Sequence, residues 1–386
     1  MKLRVVIRTM IAVLGALAAA SSAAPAQTTP PNVMGTTVWV GPYGKYLNGP
    51  FATVRICRTG TDSCQRIHGL LLDTGSFGLR IFRQALTIKL DSETAAGGET
   101  IAECTPFGSF TAWGRIAVAD VKMGGEPKIL RLPIQVINPN WPPVPSLCKN
   151  LGTPLLKNPQ QFGINGILGV GLLPDDNRFG AYFPCTSAGC GGRLGLSDEE
   201  AVQNPVAHLP VDNNGVILRF PAISFSGAPA VSGKLILGID TQSNNQLPTT
   251  ANVYEADATT LDIRTTYSGR TTSGFFDSGS NGLFFRSAIP PCGTTMFYCP
   301  AGLVSLKVQN TGVNLITGHA TVYIANAITL LNTGNHAFND LGAALGDYFD
   351  FGMPFFFGRK VYVGMSGGNP SPTGGAPYWA YMAVGQ

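Results

Sequence analysis

Leu70-Leu71-Leu72-Asp73-Thr74-Gly75-Ser76-Phe77-Gly78-Leu79 has a counterpart in the second half of the chain, Gly274-Phe275-Phe276-Asp277-Ser278-Gly279-Ser280-Asn281-Gly282-Leu283. Each is an apolar run entering Asp-Thr/Ser-Gly-Ser, with Leu after two further residues. Short apolar runs bounded by Gly and Ser predict a buried strand ending in a tight turn. The duplication predicts two related halves, each offering one carboxylate at a strand end. If the turns meet, two like charges lie too close for both to ionise, so one proton is shared and the pKa values split between the pair. Such a pair suits hydrolysis: the ionised member takes a proton from a trapped water while the other protonates the substrate carbonyl. Asp73 and Asp277 are therefore the candidate catalytic residues. Thr74, Gly75, Ser76, Ser278, Gly279 and Ser280 would position them, the glycines by allowing a sharp turn and close approach, the hydroxyls by holding the carboxylates. No G-x-S-x-G elbow, H-E-x-x-H pair or P-loop competes.

Outward from these motifs the chain reads as short β segments. They are Thr37–Val40, Ala52–Cys57, Ile67–Leu72, Trp113–Met123, Leu132–Ile137, Gly215–Phe220 and Lys234–Ile239, then Leu261–Thr266, Gly274–Asp277, Val304–Val308, Ala320–Leu330 and Lys360–Met365. Pro- and Gly-rich stretches at Asn138–Pro145 and Gly367–Pro377 punctuate them. One short helix is expected at Ser197–Gln203, capped by Ser197 with Glu199 and Glu200 in its first turn. Composition agrees with an all-β protein: of 386 residues 48 are Gly and only 12% are charged, about half the usual share. The hydrophobic fraction of 44% fills the cores of two ordinary domains and excludes general disorder. A net charge of +4 without a basic run speaks against nucleic-acid binding.

The N-terminus predicts export. Lys2, Arg4 and Arg8 precede the uncharged run Met10–Ala20, and Ala24-Pro25-Ala26 offers a small-x-small cleavage site, so residues 1–26 read as a signal peptide. The run is too short to favour a membrane anchor, and no later segment is long and apolar enough to span a membrane. Residues 27–37 read as a loose tail. The mature protein is expected in the periplasm or outside the cell. Eight cysteines fit that oxidising address. Proximity favours Cys57 with Cys64, Cys185 with Cys190 and Cys292 with Cys299, leaving Cys104 and Cys148 as longer-range partners. Eight cysteines nevertheless allow about 105 connectivities, so the pairing stays open. Neither C-x-x-C nor histidines at ligand spacing occur, so no metal and no cofactor is expected.

With these residues in view, the sequence resembles the pepsin-like aspartic peptidases, whose signature of an apolar strand followed by Asp-Thr/Ser-Gly-Ser/Thr occurs once per lobe. Asn165-Gly166-Ile167-Leu168-Gly169-Val170-Gly171 is similar to the family's apolar-apolar-Gly segment. Ser232–Asp240 is similar to its strand entering the second lobe, and Phe351–Val363 to its second apolar-apolar-Gly segment and following strand. The resemblance implies a bilobal fold of two β-barrel-like lobes, 38–213 and 214–386, around a central cleft, with a polypeptide as substrate and a monomer as the working form. A narrower resemblance, carried by Glu103-Cys104, Trp113-Gly114, Ala119-Asp120-Val121, Asp212-Asn213-Asn214-Gly215, Asp277–Gly282 and Tyr298-Cys299-Pro300, is to an uncharacterised family of exported bacterial proteins known only as a domain of unknown function. It brings no activity.

Three features depart from the peptidase pattern. The expected cleft-covering hairpin, Cys104–Arg115, contains Phe107, Phe110 and Trp113 but no Tyr; Trp113 either supplies an indole N–H in its place or belongs to the core. Asp350 and Phe351, rather than two apolar residues, precede Gly352. No propeptide separates the signal from the first strand. A non-catalytic binding protein on the same fold is therefore the alternative reading. The remaining polar features read as structural: His68, His208, His319 and His336 are scattered, Asp120, Asp240 and Asp340 lie near turns, Asp175-Asp176-Asn177 reads as a solvated turn, and Phe355-Phe356-Phe357 as a packed strand.

Overall fold

Alternation of buried and exposed side chains, visible from Val33 onward, makes strands the dominant element, and two sheets organise them. The computed structural model describes residues 29–384. The signal-peptide reading of residues 1–26 therefore lies outside the described residues. The larger sheet holds 16 strands. Within it, strands Gly49–Cys57, Cys64–Asp73, Gly166–Val170, Phe77–Phe82, Ile129–Ile137 and Thr111–Lys122 pair in that order. A pairing of Arg55, Ile56 and Cys57 with Lys122, Val121 and Asp120 closes the ring into a barrel-like unit. Leu70, Leu72, Leu79, Ile81, Leu168 and Val170 fill its interior, none more than 1% exposed. The second sheet has seven strands, centred on Ile263–Tyr267, Arg270–Asp277 and Tyr348–Gly352.

The sequence duplication is a duplication of topology. Cys64–Asp73 runs parallel to Gly166–Val170, which runs antiparallel to Phe77–Phe82. Arg270–Asp277 runs parallel to Tyr348–Gly352, which runs antiparallel to Leu283–Phe284. In each half the Asp at the strand end is in register with a glycine, Asp73 with Gly169 and Asp277 with Gly352. The strands before and after each Asp loop thus flank one shared strand, which fixes both ends of the loop. The larger sheet also runs through both halves of the sequence: Val33–Trp39 pairs with Val231–Leu237, which pairs with Gly215–Arg219, then Arg359–Gly364 and Tyr378–Ala383. The chain from Pro31 onward forms one compact unit.

Four expectations are corrected. The tail assigned to 27–37 gives way to a strand at Val33, because Val38 is buried and Thr36 Oγ1 donates to Phe51 O at 3.0 Å. Ala320–Leu330 divides into strand Thr317–Ile324 and helix Ala327–Leu331, since Asn326 caps the helix by accepting from Thr329 N. Ser197–Gln203 is a turn rather than a helix: Glu200 accepts from both Ser197 N and Oγ as a helix cap would, but Val202 N donates to Tyr182 Oη and Gln203 N to Pro133 O, which draws the chain out straight. Phe355 and Phe356 are core residues, but on the 3-10 turn Met353–Phe356, not on a strand.

All eight cysteines are paired, as Cys57–Cys64, Cys104–Cys148, Cys185–Cys190 and Cys292–Cys299. Three close short turns, and the fourth ties the hairpin strand Thr100–Pro106 to the helical turn Ser146–Lys149. No helix among the described residues is long and apolar enough to cross a membrane.

Candidate active site

The two Asp loops interlock through their second residues. Thr74 Oγ1 donates to Phe276 O at 2.8 Å and accepts from Ser278 N at 2.9 Å. Ser278 Oγ donates to Leu72 O at 2.7 Å and accepts from Thr74 N at 3.2 Å. Each hydroxyl therefore satisfies the carbonyl just before the opposite Asp and the amide just after it. All four bonds are buried, where an unpaired polar group costs about 1 to 3 kcal/mol, so the loops cannot drift apart cheaply.

Their first residues consequently face each other. The two carboxyls approach one point: a Cβ on Gly279 would lie 2.7 Å from Asp73 Oδ1 and 3.1 Å from Asp277 Oδ1. Asp73 Oδ1 accepts from Gly75 N at 2.8 Å, and Ser76 Oγ donates to its Oδ2. Asp277 Oδ1 accepts from Gly279 N at 2.7 Å and Ser280 N at 3.2 Å, while Oδ2 accepts from Ser280 Oγ at 2.8 Å. Gly75 and Gly279 are required by proximity: a Cβ on Gly75 would lie 2.6 Å from Asp277 Cγ, and one on Gly279 2.7 Å from Asp73 Oδ1. Asp73 is buried and Asp277 half-buried. Burial, and next the charge of Asp277, push Asp73 well above the usual carboxylate range, against the lowering effect of Ser76 and Gly75.

The segment Cys104–Arg115 forms a hairpin of strands Thr100–Pro106 and Thr111–Lys122. At its tip Phe107 N donates to Phe110 O, and the rings of Phe107 and Phe110 stack at 4.7 Å. Phe110 meets Phe162 edge-on, and both hairpin aromatics pack on the apolar cluster of Phe51, Leu71 and Ile167 that also carries Tyr46. Trp113, considered as an indole donor to the site, is instead core. Its ring is fully buried against Phe183, and its Nε1–H is committed to Pro142 O at 2.7 Å.

Three features of the site escape the sequence. Tyr46, on the glycine-bounded loop after the first strand, packs edge-on against Phe51 at 5.5 Å. Its phenol is raised by burial and then by the charges of Asp73 and Asp277. Arg80, two turns of the pleat beyond Ser76, is fully buried and forms ion pairs with Glu103 at 3.0 Å and with Asp176. Tyr182 Oη donates to Asp176, and the Arg80 guanidinium lies 5.6 Å over the Phe107 ring. The Asp175-Asp176-Asn177 segment is thus no solvated turn: Asp176 anchors the root of the hairpin through Arg80. Burial, and next Glu103, push Asp176 well above its usual range, with Arg80 opposing. Third, Asp350 lies on the strand beside Asp277, 4% exposed. Its Oδ1 has no hydrogen-bond partner among the described residues. The sequence marks it as the one acid in the apolar run Tyr348-Phe349-Asp350-Phe351-Gly352 but does not show what it lies against. Among the described residues no group of three or more His, Cys, Asp or Glu is arranged to hold a metal ion.

Fold and site together define an all-β protein with barrel-like sheets that brings two strand-end carboxyls into contact. The chain belongs to the family described as Protein of unknown function (DUF3443), whose profile matches residues 28–381. Among curated proteins none matches it.

Proposed function

We propose that this protein is an exported aspartic endopeptidase of pepsin-like, bilobal form, with lobes 38–213 and 214–386 and the Asp73/Asp277 pair at the base of the cleft between them. The reading is carried by the two strand-end carboxyls that the interlocked loops hold against each other, Asp73 being raised well above the usual carboxylate range by burial and by Asp277. Asp277, served by two backbone N–H groups and the Ser280 hydroxyl, takes the role of base. It takes a proton from a water held between the carboxyls, and the water oxygen bonds to the substrate carbonyl carbon. Asp73 gives its proton to the carbonyl oxygen, forming a neutral tetrahedral diol. Collapse breaks the C–N bond, with a proton passing to the leaving nitrogen and the pair returning to its one-proton state. The phenol of Tyr46, which the charges of both carboxyls raise, is a candidate for contact with substrate beside the pair. The four disulfides are compatible with an exported protein.

The test is cleavage of a peptide library by the purified mature protein from about pH 3 to pH 7, beside Asp73→Asn and Asp277→Asn. Cleavage abolished by either substitution is the expected result. Folded proteins that cleave nothing at any pH would leave the binding-protein alternative in its place.

A further inference from the structure

Two buried acids at the root of the hairpin press on a single nitrogen. Arg80 Nη2 donates to Glu103 Oε1 at 3.0 Å and also to Asp176 Oδ2. Glu103 Oε2 and Arg80 Nε have no partner, so the guanidinium grips neither carboxyl with a two-pronged bond. Arg80, Glu103 and Asp176 are each no more than 1% exposed. Their other side-chain contacts add no positive charge: Thr105 Oγ1 donates to Glu103 Oε1, and Tyr182 Oη donates to Asp176 Oδ1 while accepting from Val202 N at 2.8 Å. The titratable groups facing Asp176 are Glu103 from the hairpin strand, Arg80 from strand Phe77–Phe82 and Tyr182 from strand Ala181–Thr186. With both acids ionised the cluster buries one net negative charge; with one proton added it is neutral. The upward push of burial and Glu103 on Asp176 agrees with that count of charges.

The same guanidinium reaches the hairpin tip and the Asp73 loop. Phe107 lies 5.6 Å from the Arg80 guanidinium and stacks on Phe110, and both rings are only half-buried. The disulfide Cys104–Cys148 pins the hairpin strand next to Glu103 and leaves the tip beyond it without a covalent tie. Arg80 Nη1 donates to Phe77 O, one residue past the Asp73 motif.

We propose that Arg80, Glu103 and Asp176 form a pH-sensitive latch: with one proton shared between the two acids the cluster is neutral and holds the hairpin tip against Arg80, and loss of that proton leaves an unpaired buried charge that releases the tip. A buried acid raised in the folded state contributes its full stability below the unfolded carboxylate range and loses it as pH rises through the folded value. The tip is therefore held in acid and freed toward neutrality. The latch stands whether or not the chain cleaves peptides.

The deciding experiment is hydrogen–deuterium exchange of the disulfide-bonded protein, as wild type, Asp176→Asn and Glu103→Gln, from about pH 4 to about pH 8, the span over which buried acids ionise. Exchange is followed at residues 105–112, where Phe107 N donates to Phe110 O at 2.7 Å, and is read as protection factors, which remove the intrinsic dependence on pH. Each variant fixes one carboxyl in a neutral form of the same shape. Wild-type protection of the tip should fall by about 10- to 100-fold as pH rises, the linkage of one to two pKa units, while the buried strand residues Leu70, Leu71 and Leu72 keep theirs. Both variants should stay level across the range. Wild-type protection that does not change with pH overturns the proposal, as does a fall that persists in either variant. If one variant fails to fold, the other carries the test.

Discussion

Thr74 and Ser278 each accept a hydrogen bond from the other's backbone N–H while donating to a carbonyl on the opposite strand. This reciprocal lock sets the separation of Asp73 and Asp277, because each carboxylate is the residue immediately before one partner. Substitution of Thr74 by Val preserves shape but strands Phe276 O and Ser278 N in the core. A loss of about 2 to 5 kcal/mol is expected from two orphaned groups, read as a lower urea midpoint with unchanged slope. A loss under roughly 0.5 kcal/mol would mean that water or relaxation replaces the lock.

Asp73 makes stability depend on pH in a definite direction. Its folded pKa is raised above the unfolded value by burial and by Asp277. Its contribution is therefore fully present below the unfolded carboxylate range and is lost as pH rises through the folded value. Asp73→Asn removes that loss. The variant should melt at the wild-type temperature near pH 3 and above it at pH 7 to 8, roughly the span over which a buried acid is forced to ionise. Equal melting at both ends would show that the proton is not held on Asp73.

Arg80 is the only cation facing Glu103 and Asp176 among their hydrogen-bonded partners. Arg80→Met leaves two buried carboxyls without it, and a loss of about 3 to 5 kcal/mol is expected. Adding Glu103→Leu and Asp176→Leu should recover most of it, since a well-packed apolar trio is often no worse than a buried ion cluster. Failure of the triple variant to recover would place the value of the cluster in its geometry rather than its charge balance.

Cys104 and Cys148 close the longest disulfide loop, at a separation of 44 residues against 5 for Cys185 and Cys190. Loop-closure entropy alone gives about 4 kcal/mol for the first and about 2 for the second. Paired Cys→Ser substitutions compared by thermal melting should show the larger drop for Cys104/Cys148. The reverse order would point to native-state packing, since Cys104 and Cys148 share a buried cluster with Trp113 and Phe183.

Gly75→Ala tests the contact of the two loops directly. Its Cβ would lie 2.6 Å from Asp277 Cγ, so the carboxyls must separate. Overpacking of this kind costs about 1 to 3 kcal/mol, and the raised titration of Asp73 should fall toward the ordinary carboxylate range. A variant that keeps both stability and titration would mean that the loops are not in contact in solution.

The strand ends and the two Asp turns are legible in sequence because local chemistry determines them: apolar runs with β-branched and aromatic residues bounded by Gly and Ser have few alternatives to a buried strand and turn. The same holds for the three short-range cysteine pairs. What the sequence could not supply is the identity of groups brought together by register between distant strands. Asp350 reads as a blemish in an apolar run until parallel pairing sets Gly352 beside Asp277. Asp176 reads as a solvated turn until Arg80, Glu103 and Tyr182 converge on it from three separate segments. Trp113 lies on the expected hairpin, yet the side of the pleat it occupies, and hence whether its N–H meets Pro142 or a cleft, depends on a one-residue register. Tyr46 is one of many tyrosines in a loop, and only tertiary packing sets its phenol beside the pair. Burial and long-range pairing are cooperative properties of the whole chain, whereas turn and strand preference are properties of a few residues. That is why the sequence by itself determined the elements and the two carboxyls, and the tertiary structure alone decided which side chains surround them.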